Sequence, residues 1–92
     1  MKVLEAKVVE NRRETPESEP DRLSDTWLVE AKLEQDVLGW ENMRVEVQTS
    51  EIGAEILETS MGSAKEFTVR TRGQSQVKKG DTMHVALREG SG

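Results

Sequence analysis

Cysteine is absent from the 92 residues, which removes disulfides, thiolate metal ligands and a cysteine nucleophile together. Aromatic side chains are scarce as well: Trp27, Trp40 and Phe67 are the full set, and there is no tyrosine. A run of rings on which successive bases stack cannot be assembled from so few. Histidine occurs once, and a lone imidazole, His84, has neither a placed serine and acid for nucleophilic catalysis nor companion ligands for a metal. The preferred reading of His84 is a solvated strand position. Neither Gly73 nor Gly80 belongs to a Gly-x-x-x-x-Gly-Lys-Ser/Thr pattern, so phosphate cradling of that kind is excluded. No catalytic or cofactor motif remains, and the expectation is a protein that is not an enzyme and holds no cofactor.

Positive charge is also short. Lys and Arg number 13 against 18 Asp and Glu, a formal net charge of −5, which argues against a dedicated nucleic-acid binder because phosphate neutralisation needs clustered cations. No apolar run approaches the roughly 20 residues of a membrane span, and the N-terminus lacks the apolar core of a signal peptide. The expectations are therefore no membrane insertion and cytoplasmic residence. A chain of this length is expected to form a single small domain over residues 1–92 with one core.

What is present is alternation. Thr26 to Glu34 places Trp27, Val29, Ala31 and Leu33 on one face, the pattern of a strand with one buried side. Met43, Val45 and Val47 repeat it, as do Phe67, Val69 and Thr71, and then Met83, Val85 and Leu87. Near the N-terminus Leu4, Ala6 and Val8 share a parity, with Val3 and Val9 expected to be partly covered. The predicted inward set is Trp27, Val29, Leu33, Val45, Val47, Val69, Met83 and Val85. Residues 11–25 hold both prolines and many charges with few apolar groups, and are expected to form a long mobile loop after the first strand. Its carboxylates, Glu14, Glu17, Glu19, Asp21 and Asp25, do not follow a calcium-loop spacing, and a solvated loop is the preferred reading.

Gly39 breaks the pattern before Trp40, whose ring is expected to plug a barrel end, with ligand stacking as the alternative. Residues 50–59 read either as a short helix capped by Ser50 or as a strand kinked at Gly53. Both lead to the same fold class: all-β, a small five- to six-stranded barrel like that of the oligonucleotide/oligosaccharide-binding fold.

From Val45 onward the chain resembles a known family. Val45-Glu46-Val47 followed by Ile52-Gly53-Ala54-Glu55, then Glu66-Phe67-Thr68-Val69-Arg70, Gly73 and Val77-Lys78-Lys79-Gly80-Asp81, are similar to the transport-associated barrel domain at the C-terminal end of ABC importer ATPase subunits. The resemblance covers residues 45–87 and implies an all-β fold with a strand after Gly53. It also implies a regulatory role beside an ATPase, and for some relatives the binding of molybdate-like oxyanions.

Two sets of residues are candidates for contact. Arg70, Arg72, Lys78 and Lys79 form a prospective basic interaction patch on an acidic protein. Ser60, Gly62, Ser63 and Lys65 form a prospective small-ligand corner of hydroxyls and amides, although such residues also dominate ordinary turns. The leading functional expectation is a non-enzymatic binding or regulatory module acting through protein contacts, in transport by resemblance. Self-association through an exposed strand edge is the first candidate and a larger assembly the second. Weak single-stranded nucleic-acid binding and oxyanion or sugar sensing are the alternatives.

Overall fold

The computed structural model describes residues 2–14 and 25–90. Six strands, β1 (Lys2–Arg13), β2 (Thr26–Leu33), β3 (Met43–Val47), β4 (Glu55–Met61), β5 (Glu66–Arg72) and β6 (Thr82–Glu89), are joined by one short helix, α1 (Thr49–Ile52). They form one sheet in the order β3-β6-β1-β2-β5-β4. The sheet curls until β3 and β4 approach one another, making a nearly closed barrel, the six-stranded form of the expected all-β architecture. Odd and even strands alternate around this circuit, so every ladder is antiparallel.

Alternation does the work it promised along most of the chain. Leu4, Ala6, Val8, Val29, Ala31, Leu33, Val45, Phe67, Val69, Met83, Val85 and Leu87 are all buried in one core, while Val47 packs against it half-covered. Val85→Ala is expected to cost about 1–3 kcal/mol through lost burial and a residual cavity, whereas His84→Ala on the exposed parity should be much milder. Paired urea titrations check this, and a larger loss from His84→Ala would displace the register of β6 by one.

Three expectations need correction. Val3 and Val9 are 64% and 45% exposed rather than covered; both lie on the outer face of β1. Trp27 keeps the inward parity but stands at the first turn of β2, opposite Thr71 and Arg13, beyond the packed interior. It is half-buried there, its indole Nε1 donating to Asp25 Oδ1 at 3.2 Å. The loop expected from residue 11 also begins later. A register shift between Val8 and Glu10 lets β1 continue to Arg13, with Asn11 opposite Val29, and the Glu14 N–H donates to the Thr26 carbonyl. Residues 15–24, the rest of that expected loop with Glu17, Glu19 and Asp21, lie outside the described residues.

The bulge has a structural use. By inserting a residue it turns Asn11 toward the barrel, where Nδ2 donates to the Ser75 and Val77 carbonyls at 3.1 and 3.0 Å. Those two residues belong to the segment 73–81, which crosses the barrel end from β5 to β6 and buries Ser75 and Val77. The same segment finishes α1, whose last carbonyls have no intrahelical donors. Gln76 Nε2 donates to the Ser50 and Glu51 carbonyls at 2.9 Å each, and Ser75 Oγ donates to the Ile52 carbonyl at 2.6 Å. Residues 50–59 therefore satisfy both readings in turn: a helix ends at Gly53, whose φ of 69° is a left-handed cap, and a strand starts two residues later.

Candidate functional site

The prospective basic patch is divided by the fold. Arg70 Nε and Nη2 donate to the two Glu14 carboxylate oxygens at 2.8 and 3.2 Å, and Nη1 donates to Glu58 Oε2 at 2.9 Å. The Glu14 hydrogen bond, then the Glu14 charge and with them a smaller contribution from Glu58, hold the Arg70 guanidinium above its ordinary range. Arg72 pairs with Glu55 at 3.1 Å. Lys78 and Lys79 lie elsewhere, on a turn that bonds Val8 of β1 through Gly80 and Asp81, two strands away from β5. Both arginines thus face carboxylates of their own chain, which leaves the phosphate contacts of a single-strand binder without their principal donors.

The Ser60–Lys65 corner is the β4–β5 turn, and its donors close upon itself. The Gly62 and Ser63 amides point to the Glu66 carbonyl, and Ser63 Oγ accepts the amides of Lys65 and Glu66. Ser60 Oγ meets Thr68 Oγ1 at 3.1 Å. Lys65 Nζ stands 4.0 Å from Asp36. The shallow hollow beside Gly62 and Ser63 is bordered by Glu30 and Glu66, charges that repel an oxyanion.

His84 has more company than its sequence context implied. Its Nδ1 is 3.1 Å from Glu51 Oε1, the same carboxylate that accepts its backbone amide, and its Nε2 is 3.8 Å from Glu5. The two acids sit at opposite ring nitrogens and do not converge on one point: Glu51 ties α1 to β6, and Glu5 faces His84 from β1. Among the described residues no group of three or more histidine and carboxylate side chains could hold a metal ion. No helix among them is long and apolar enough to cross a membrane.

The feature the sequence reading did not single out is where the barrel stops short of closing. No backbone ladder joins β3 to β4 among the described residues; Thr59 Oγ1 donates across the gap to the Val45 carbonyl at 2.8 Å. Successive residues of a strand offer their polar groups to alternate sides, so Val47 turns its backbone the same way as Val45. A single side-chain hydrogen bond thus links the two edges at Val45 among the described residues. Beside that link the gap forms a hollow lined by Trp40, Glu41, Met43, Arg44, Val45, Glu46, Met61 and the Thr59–Ser60 edge. Trp40 does cap the core as expected, half-buried with Met43 and Met61 packed on the same cluster. On the far side of Met43 a second hollow runs past Val37, Leu38 and Leu87. Leu38, before the left-handed Gly39, is 91% exposed, far more than any other large apolar residue of the core-forming kind among those described. The readable signal was a leucine and a tryptophan flanking one glycine in an otherwise polar stretch.

No protein-family model, no curated protein and no solved structure matches this chain.

Proposed function

We propose that this barrel is a non-enzymatic docking module that binds an apolar segment of a protein partner at the Leu38–Trp40–Met43–Met61 end of the open seam. The observation that carries the reading is Leu38, 91% exposed, together with the half-buried Trp40, Met43 and Met61 around two hollows that share Met43, on a molecule whose walls elsewhere carry cross-strand ion pairs such as Arg12–Glu30 and Arg72–Glu55. Apolar surface gathered at one place and rimmed by charge is characteristic of contact sites, and a half-exposed Trp beside two methionines supplies the anchor and the adaptable packing that interfaces use. A transport-associated setting, which the resemblance over residues 45–87 implies, fits a module of this kind acting beside an ATPase that it does not itself contain.

Affinity capture with the wild-type chain, Leu38→Asp and Lys78→Glu in parallel tests the proposal. Leu38 lies outside the core, so its replacement should leave the thermal midpoint nearly unchanged. The expected result is that proteins retained by the wild type are lost with Leu38→Asp and kept with Lys78→Glu. Retention by Leu38→Asp together with loss by Lys78→Glu would move the contact to the basic turn and overturn the assignment.

A further inference from the structure

Where the barrel stops short of closing, neighbouring hydrogen bonds fix the direction in which each edge turns its backbone. On the β3 side the Gly90 N–H donates to the Asn42 carbonyl, just before the ladder that sets Arg44 opposite Arg88 and Glu46 opposite Ala86. Polar groups alternate sides along a strand, so Asn42, Arg44 and Glu46 serve β6 while Val45 and Val47 face the seam, as the Thr59 bond to the Val45 carbonyl requires. On the β4 side the Gly62 N–H donates to the Glu66 carbonyl. By the same count Ser60 serves β5, and Thr59 and Met61 face the seam. Val45 belongs to the core, with Met43, Val47 and Met61 packed against it, whereas Arg44, Glu46 and Ser60 are exposed. Two strand edges, each apolar toward the barrel and polar toward solvent, therefore face one another with no ladder between them among the described residues. An unpaired strand edge selects another extended backbone, and the alternation of side chains along it selects which residues of that backbone are apolar.

We propose that the segment docked at the seam is an extended strand of the partner protein, alternating apolar and polar residues, which pairs antiparallel with the β3 edge at Val45 and Val47. It takes the Val45 carbonyl from the Thr59 hydroxyl, lays its apolar side chains toward Trp40, Met43 and Met61, and keeps its polar ones beside Arg44 and Glu46. Paired strands stand about 4.8 Å apart, and the 2.8 Å bond from Thr59 to Val45 leaves no place for another strand until it breaks. Thr59 is thus the latch of the seam. The inference rests on the docking reading above and gives the docked segment its conformation.

Backbone methylation of a probe peptide tests the pairing directly. The probe alternates valine and lysine over about eight residues, within the usual length of a strand, and a second peptide is the same but N-methylated at each valine. Antiparallel pairing aims the valine amides at β3, so in titrations with the wild-type chain methylation should weaken binding by about tenfold or more while charge and side chains stay the same. Thr59→Val removes the latch at nearly constant volume and should bind the unmethylated peptide several-fold more tightly. Its thermal midpoint will show that it folds, and if it does not, the two peptides on the wild type decide the matter. No binding of the unmethylated peptide, equal binding of both peptides, or a folded Thr59→Val chain that binds no better than the wild type each overturns the proposal. If one of these results is found while Leu38→Asp still loses a captured protein, the strand assignment alone falls; if Leu38→Asp loses none, the docking reading falls with it.

Discussion

Phe67→Ala is expected to remove about 3–5 kcal/mol of folding stability, the largest loss at any single side chain of the barrel. The ring is the chain's one phenylalanine, 1% exposed, and lies in register between Ala31 of β2 and Met61 of β4. The small alanine on one side makes room for it, and no neighbour on that side can extend into the space left behind. Met61, half-buried at the open seam, is the neighbour able to swing inward, so the variant should also draw Met61 out of the hollow it lines. Phe67→Leu, which keeps most of the volume, should lose far less. Denaturant titrations of both variants, read at constant slope, give the comparison; a loss below about 1 kcal/mol for Phe67→Ala would show that the ring is not the centre of the packing.

Gly53→Ala is the second large effect, expected at about 2–4 kcal/mol from two separable sources. The backbone there has φ of 69°, a left-handed conformation that disfavours a Cβ. The added Cβ would also stand 2.8 Å from Gln76 Cδ, and Gln76 is the side chain that holds two carbonyls of α1. Gly80 provides the control: its φ is 95°, yet nothing lies within 4 Å of a Cβ placed there, so Gly80→Ala should show the backbone part alone. Combining Gly53→Ala with Gln76→Ala should relieve the steric part, leaving a non-additivity of about 1 kcal/mol. Equal losses from Gly53→Ala and Gly80→Ala would mean that Gln76 yields freely and that the crossing segment is not fixed by it.

The contrast between these sites and the surface shows what a sequence can and cannot disclose about such a barrel. Burial along β2, β3, β5 and β6 was legible because strict alternation survives in each. In β1 it held for Leu4, Ala6 and Val8, which are buried, and lapsed beyond them, because one bulged residue at Val9 shifts the parity and Asn11 points inward on an odd number. Trp27 had the right parity and the wrong height: periodicity reports a side chain's direction but not whether packed neighbours reach it. Gly53 was legible as a break, though not as a left-handed helix end, since the donors that finish α1 come from residues 75 and 76. The basic patch misled for a related reason. Arg70 is answered by Glu14, 56 residues earlier, and that match exists only once the register of β1, β2 and β5 is set. The hollow at the seam was visible in part, through Trp40 beside Gly39.

The strand order carries a consequence for how the chain is made. β6 lies between β1 and β3 in the sheet and is synthesised after both of them. Until it leaves the ribosome, β3 has no ladder partner on either side, because its remaining neighbour across the seam is β4, to which no ladder joins it. The β1–β2 and β4–β5 hairpins pair locally and have their contacts early, but the wall that encloses Val45 and Leu87 cannot form before the last strand arrives. The nascent barrel therefore passes through an open half-sheet with uncovered valines. Final closure joins β1 and β3 to β6, a long-range step of the kind that slows folding and lengthens exposure to misassociation.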